Sequence, residues 1–214
     1  MVSAPTIAVV IPALDEEEAI GKVLRDIPAE ASQVVVVDNG SRDRTADIAR
    51  GLGAEVVAEP RRGYGQACLT GLAQLDRPDI VVFLDGDYSD YPEEMSDLVA
   101  PLLAGEADMV IGSRTLGNRE KGALLPQARF GNWLSTRLIG LVVGVCYTDI
   151  GPFRALRFDA LERLGMKDRD FGWTVEMQVK AARLGLRSVE VPVRYRRRIG
   201  TSKISGTLSG TLRA

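Results

Sequence analysis

The sequence has no histidine and only two cysteines, Cys68 and Cys146. Without histidine there is no imidazole-held zinc and no Ser-His-Asp relay. The cysteines stand far apart and outside any metal-ligand spacing, so they read as small buried residues in a reducing compartment. Any resident metal must then sit on oxygen ligands, which points to Mg²⁺ or Mn²⁺. An excess of one charge sign is also lacking. The 27 Lys and Arg against 29 Asp and Glu leave −2, which gives no general case for nucleic acid as a partner. Long apolar runs are absent too. The longest, Leu138 to Tyr147, is about half of what a bilayer span requires. The first, Ile7 to Ile11, is short and leads into Asp15, Glu16, Glu17 and Glu18, which is unlike a signal peptide. The chain is expected to be cytoplasmic, at most peripheral at the inner face of the cell membrane.

What is present is the composition of one globular unit: 214 residues, 45% apolar and 26% charged. Short apolar runs alternate with helical periodicity. Strands are expected at Ile7–Ile11, Val34–Val37, Glu55–Ala58, Ile80–Leu84 and Met109–Ile111. Helices are expected from Asp15, with Asp15 and Glu18 as a capping box, at Thr45–Arg50, after Gly63-Tyr64-Gly65, and from Pro92 to Leu103. Further on, Phe130–Val143 and Thr174–Leu184 read as helices, Cys146–Arg157 mixes turn and strand signals, and Val189–Tyr195 alternates as a strand. Continuous apolar strands between helices give an α/β fold with a mostly parallel sheet covered on both faces. Residues 1–214 form a single domain, with about 1–115 as one half and about 116–214 as the other.

In such sheets ligands sit at the carboxyl ends of the strands. Polar residues collect there: Asp15 and Glu16, Asp38 and Asn39, Asp85 and Asp87, Ser113 and Arg114. In VVFLDGDYSDYPEE, a buried strand ends in Asp85-Gly86-Asp87, two carboxylates that can point into one small space. Such a pair is costly unless a cation joins it; the plainer alternative is a solvated acidic turn capping the next helix. Asp38-Asn39-Gly40-Ser41 is either a simple turn or one wall of a nucleoside pocket. Gly63-Tyr64-Gly65, at a helix start, is either a tight loop or a phosphate site made of free N–H groups.

VVIPALDEE, VVVDNGS, RRGYGQA, FLDGDYSDYPE and VIGSR occur in the order and spacing of family-two glycosyltransferases. TDIGPFRALR, WTVEMQVKAARLG and RIGTSKISGT are similar to the branch of polyprenyl-phosphate (dolichyl-phosphate) mannosyl- and glucosyltransferases. The resemblance implies an inverting enzyme of GT-A fold that moves a sugar from a UDP- or GDP-linked donor to an acceptor, foremost a polyprenyl phosphate. A hydroxyl acceptor, or a non-catalytic nucleotide-sugar module, are the alternatives. The half at about 1–115 would bind the nucleotide-sugar and the half at about 116–214 the acceptor. By the match, Pro12, Leu14, Glu16, Val37, Asn39 and Gly86 would line the donor pocket. Leu14 stands where a tyrosine is frequent. Asp85 and Asp87 would hold Mg²⁺ or Mn²⁺, and Arg114 would stabilise phosphate charge.

The basic cluster Arg194, Arg196, Arg197, Arg198 and Lys203 flanks Gly200-Thr201-Ser202. The resemblance makes it a loop over the donor diphosphate and acceptor phosphate, with Arg197 or Arg198, Lys203 and Arg129 as the anions' partners. A phosphate acceptor is already anionic and needs no strong base; a hydroxyl acceptor does, and Asp149 and Glu176 are then the candidates. Asn39 favours uracil over guanine, since an amide both accepts from N3–H and donates to a carbonyl. The stretch Thr201–Leu212 is expected to act as a lid. Leu208 and Leu212, one helical turn apart, suggest the start of a membrane-contacting helix.

Overall fold

The computed structural model describes residues 4–200. Lys203, the Thr201–Leu212 lid and the Leu208/Leu212 stripe lie outside the described residues. One seven-stranded sheet has the order β3-β2-β1-β4-β6-β5-β7. Its strands are β1 (Ile7–Ala13), β2 (Ala31–Asp38), β3 (Glu55–Ala58), β4 (Ile80–Phe83), β5 (Met109–Ser113), β6 (Arg154–Arg157) and β7 (Ser188–Pro192). All pairings are parallel except those of β6, which runs antiparallel between β4 and β5. The helices are α1 (Ile20–Asp26), α2 (Thr45–Gly51), α3 (Tyr64–Leu72), α4 (Met95–Leu103), α5 (Pro126–Val143), α6 (Phe158–Leu164) and α7 (Trp173–Arg183). Pro92–Glu94 forms a 3-10 turn ahead of α4.

Burial explains the strand sequences. β1, β4 and β5 are covered on both faces, so they carry no polar alternation. Val9, Ile11, Val82 and Val110 pack into one apolar layer with Leu98 and Leu102 of α4. Val10, Phe83, Met109 and Leu156 pack into the other with Trp173 and Met177 of α7. β1 pairs with β2 on one side and with β4 on the other. The chain therefore reverses its direction of winding at β1, and the crevice at the carboxyl ends of β1 and β4 is the switch point where α/β sheets bind ligands.

Two expectations need correction here. Asp15 and Glu18 do not cap a helix, because α1 begins only at Ile20 and has no side-chain cap. Asp15 instead adopts a left-handed backbone (φ 51°) and ties two loops together. Its N–H donates to Ser41 Oγ, and its carboxylate accepts from the Arg42 N–H. Cys68 is buried as expected, but Cys146 is exposed beyond the end of α5.

α3 lies close on the sheet because Gly71 has no side chain. A Cβ there would meet Val10 Cγ1 at 2.5 Å and Val37 Cγ2 at 3.0 Å. Gly51, at the end of α2, has nothing within 4 Å of the corresponding position. Gly71→Ala should therefore cost about 1–3 kcal/mol by overpacking, whereas Gly51→Ala should be neutral or stabilising through helix propensity. Thermal unfolding of the two variants checks this; equal midpoints would show that α3 has room to move.

Candidate active site

A cavity of about 280 Å³ opens at the switch point. Its walls come from the end of β1 (Pro12, Leu14, Glu16), from Asn39 after β2, and from Asp85-Gly86-Asp87 after β4. Arg62, Gly63, Tyr64, Asp170, Phe171 and Arg198 also line it, with Ala13 and Ala67. Eight of the expected residues thus converge: Pro12, Leu14, Glu16, Asn39, Asp85, Gly86, Asp87 and Arg198.

The floor is acidic. Asp87 Oδ1 accepts from the Ser89 N–H at 2.9 Å and from Ser89 Oγ at 2.6 Å. Its Oδ2 faces Arg198 Nη1 at 3.3 Å. The other arm of Arg198, Nη2, donates to Glu16 Oε1 at 2.8 Å. One guanidinium therefore bridges the end of β1 and the end of β4 across the cavity. Asp85 Oδ1 accepts from the Tyr64 hydroxyl at 3.0 Å. Burial, then the charge of Asp87, push the Asp85 carboxyl up to about 7. Asp90 is buried with neither oxygen hydrogen-bonded, and burial followed by the charges of Asp85 and Asp87 raises it well above the carboxylate range.

This arrangement can hold a divalent ion. All donors are oxygens, and a cationic group already stands on Asp87 Oδ2 in place of one. Among the described residues no cluster of three or more metal-ligating side chains occurs. A metal here would take two carboxylates and complete its shell from phosphate oxygens and water, the habit of Mg²⁺ and Mn²⁺ at nucleotides.

Several expected residues stand elsewhere. Val37 is fully buried under α3 beside Ala67 and contributes no wall. Arg114 is buried in a bidentate pair with Asp149. Its Nε donates to Oδ2 at 3.0 Å and its Nη2 to Oδ1 at 2.5 Å, while its backbone N–H donates to Oδ2 at 2.8 Å. Burial alone would lower the Arg114 pKa, but the Asp149 charge more than offsets it and fixes the cation. Asp149 thus anchors Arg114. Glu176 is engaged as well. It accepts from the backbone N–H groups of Lys167 and Asp168 and pairs with Lys180 at 2.6 Å. Burial pushes its carboxyl up, but the Lys180 hydrogen bond and those N–H bonds bring it below the usual value.

The basic cluster divides by target. Arg194 pairs with Glu93 and Glu94, and Arg196 stacks on Tyr88 and Tyr91 while donating to the Tyr88 and Asp90 carbonyls. Arg197 donates to the Lys121 carbonyl and, through its N–H, to Glu120. Only Arg198, among the described residues of the cluster, enters the cavity. Arg129 lies exposed on α5.

Gly63 and Tyr64, at the start of α3, line the cavity, but the next N–H groups are taken by the chain. The Gly65 N–H donates to the Asp170 carbonyl and the Gln66 N–H to the Arg169 carbonyl. Gly63 and Gly65 are small because that loop presses on them: a Cβ would come within 2.1 Å of Arg169 O and 2.2 Å of Asp168 O, respectively. The same loop supplies Asp170 and Phe171 to the wall, two residues that no sequence signal marked. Asn39 is spent on the backbone as well. Its Nδ2 donates to the carbonyls of Glu59 and Arg61, and its Oδ1 accepts from the Gly63 N–H. It shapes the pocket wall, and both of its amide hydrogens are committed to the chain.

Residues 8–165 match the model of glycosyl transferase family 2. The chain belongs to this family. It is 40% identical over 208 residues to a glycosyltransferase of Mycobacterium tuberculosis, covering 96% of this chain and 93% of that protein. It is 35% identical to the dolichyl-phosphate hexose transferase of Haloferax volcanii, over 95% of this chain and 89% of that one. The undecaprenyl-phosphate mannosyltransferase of Micrococcus luteus is 32% identical, over 94% and 88%. Among solved structures, glucosyl-3-phosphoglycerate synthase of M. tuberculosis in complex with Mn²⁺, UDP and glucosyl-3-phosphoglycerate superposes with a TM-score of 0.72 at 28% identity. That match covers 93% of this chain and 73% of the other. The fold is accordingly a GT-A-like domain, and the family is one of glycosyltransferases.

The Asn39 geometry carries its own test. Asn39→Asp would set oxygens against the carbonyls of Glu59 and Arg61, at about 1–3 kcal/mol for each acceptor left unpaired. It should lower stability and weaken UDP and GDP alike. A calorimetric UDP-to-GDP ratio that changes on substitution would show that Asn39 discriminates the base after all.

Proposed function

We propose that this protein transfers a sugar from a nucleoside diphosphate sugar, most simply a UDP-sugar, to a phosphate-bearing acceptor, foremost a polyprenyl phosphate, with inversion at the anomeric carbon. The observation that carries the proposal is the Asp85/Asp87 pair at the β1–β4 crevice with Arg198 standing on it as counter-cation. Asp85 and Asp87 would hold Mg²⁺ or Mn²⁺. Bound there, the ion would supply charge to offset what grows on the departing diphosphate. Pro12, Leu14 and Phe171 offer the apolar surface for the nucleoside, and Glu16 stands beside it. Arg198 would exchange Asp87 for the diphosphate, keeping its charge in the cavity. Arg114, locked by Asp149, would lend its fixed positive charge from behind the acidic floor.

The solved relative bound to Mn²⁺ and UDP supports the metal and the uridine nucleotide. The two polyprenyl-phosphate transferases support the lipid-linked acceptor, while the relative complexed with phosphoglyceric acid offers a small phosphate-bearing alternative. A phosphate oxygen attacks without a base, in keeping with Asp149 and Glu176 being engaged elsewhere. The half at about 1–115, with the 168–171 loop and Arg198, is assigned to the donor, and the remaining surface of 116–214 to the acceptor. One observation favours a hydroxyl acceptor: Asp170 lines the cavity and could serve as its base.

Four experiments decide these points. Chelation, or Asp87→Ala, should reduce transfer on the order of 100-fold or more. Arg198→Gln should bind Mn²⁺ alone several-fold more tightly, read from free Mn²⁺ by electron paramagnetic resonance, yet transfer sugar more slowly. Full transfer in excess chelator would reject the metal, and unchanged Mn²⁺ affinity would reject Arg198 as its competitor. With UDP-glucose and GDP-mannose each offered to undecaprenyl phosphate and to 3-phosphoglycerate, mass spectrometry should detect transfer onto the lipid. With the preferred acceptor, Asp170→Asn should leave transfer near the wild-type rate. A loss of about 10²–10⁴-fold would instead mark a hydroxyl acceptor.

A further inference from the structure

Helix α5 is amphipathic in the inverse sense. The side chains it turns inward are Asn132, Thr136 and Ile139. The side chains it turns outward include Phe130, Trp133, Leu134, Leu138, Leu141 and Val142, with Trp133 53% and Leu141 83% exposed. These positions recur at three- and four-residue spacing, so they form one continuous stripe along the outer face. A helix on a protein surface normally presents the opposite arrangement, and an apolar stripe of this length marks an interaction surface.

Charge selects the occupant. From Lys121 to Thr148 the chain has no Asp or Glu, while it has Lys121, Arg129 and Arg137. Arg137 is exposed and falls within the stripe, between Trp133 and Leu141 on the helix surface. A two-fold contact between copies would set this patch against itself, Arg137 against Arg137, with no carboxylate of the segment to separate them. An anionic phospholipid surface meets both features at once: acyl chains take the leucines, headgroup phosphates take the arginines, and long arginine stems reach up from an apolar bed. No helix among the described residues is long and apolar enough to cross a membrane, so such a contact would be in the plane of the interface. We infer that the outer face of α5 is a docking surface for an anionic lipid bilayer. The inference goes beyond the sugar transfer assigned above and does not depend on the acceptor's identity.

Vesicle flotation without donor or acceptor tests it. The full chain is mixed with vesicles of phosphatidylcholine alone or with phosphatidylglycerol added. The expected result is at least about tenfold greater binding to the anionic vesicles. Leu141→Glu should abolish it, and Arg137→Gln should weaken it several-fold. Both positions are exposed, so the thermal midpoint should not move. Trp133 emission should shift to the blue on binding. The other tryptophan, Trp173, is 1% exposed against Phe83, and Trp133→Phe should remove the shift. Failure of the wild-type chain to float with anionic vesicles, or flotation of Leu141→Glu like wild type, overturns the inference. So does a dimer in solution that Leu141→Glu dissociates, since a second copy would then own the face. Flotation without sugar transfer to undecaprenyl phosphate would leave the docking surface standing and remove the lipid-linked acceptor instead.

Discussion

Three carboxylates crowded at the end of one buried strand are the constraint around which this molecule is arranged. Asp85, Asp87 and Asp90 follow β4 within six residues, two of them buried to within a few per cent of complete. Burial and the neighbouring negative charges raise the proton affinity of Asp85 and Asp90. The fold answers with cations from distant sequence. Arg198 reaches Asp87 from beyond β7, and Arg114 stands behind the floor with its own counter-ion, Asp149. The segment that delivers Arg198 is stitched to the acidic loop by backbone bonds, Arg196 N–H to the Ser89 carbonyl and Ile199 N–H to the Asp87 carbonyl. Arg194 and Arg196 hold the same loop from outside. Among the described residues of the basic cluster, Arg194 and Arg196 therefore brace the segment that sets Arg198 in the cavity.

The frame was legible in the sequence because burial on both sides leaves no freedom of composition. A strand such as VVVV or IVVF has few other uses, and β3 falls at its expected bounds. The DGD pair was legible for the same reason in reverse, since carboxylates at the end of an apolar strand are conspicuous. Local polar residues were less readable, because each admits several partners. Asp15 beside Glu18 fits a capping box, but the N–H of Asp15 went to Ser41 across 26 residues. Asn39 fits a base edge, but two backbone carbonyls from the 59–61 loop claimed its amide first. Nothing in the local sequence distinguishes an amide facing a ligand from one facing the chain.

The pocket's far wall shows a further limit of local reading. Gly63-Tyr64-Gly65 has the form of a phosphate loop, yet its glycines are required for closeness. They admit the backbone of residues 168–170, and the carbonyls of Arg169 and Asp170 accept from the N–H groups of Gln66 and Gly65. In return that loop brings Asp170 and Phe171 to the cavity, and Glu176 braces it through the N–H groups of Lys167 and Asp168. The second half of the chain thus completes a site whose floor belongs to the first, through contacts no periodicity announces.

Helices α4 and α5 show how one chain can use amphipathicity in both directions. α4 buries Met95, Leu98, Val99 and Leu102 and is held by the sheet through apolar area. α5 cannot be held in that way along its first turns, because its inner face carries Asn132 and Thr136. It is held by direction instead: Asn132 Nδ2 donates to the Thr148 carbonyl and its Oδ1 accepts from the Ile150 N–H. Those bonds flank Asp149, the residue that fixes Arg114. Polar residues inside α5 therefore have a defined task, positioning the segment behind the acidic floor, and they release the leucines from the interior. An outward apolar face is what remains when a helix is anchored by hydrogen bonds and its hydrophobic side chains are left for another phase.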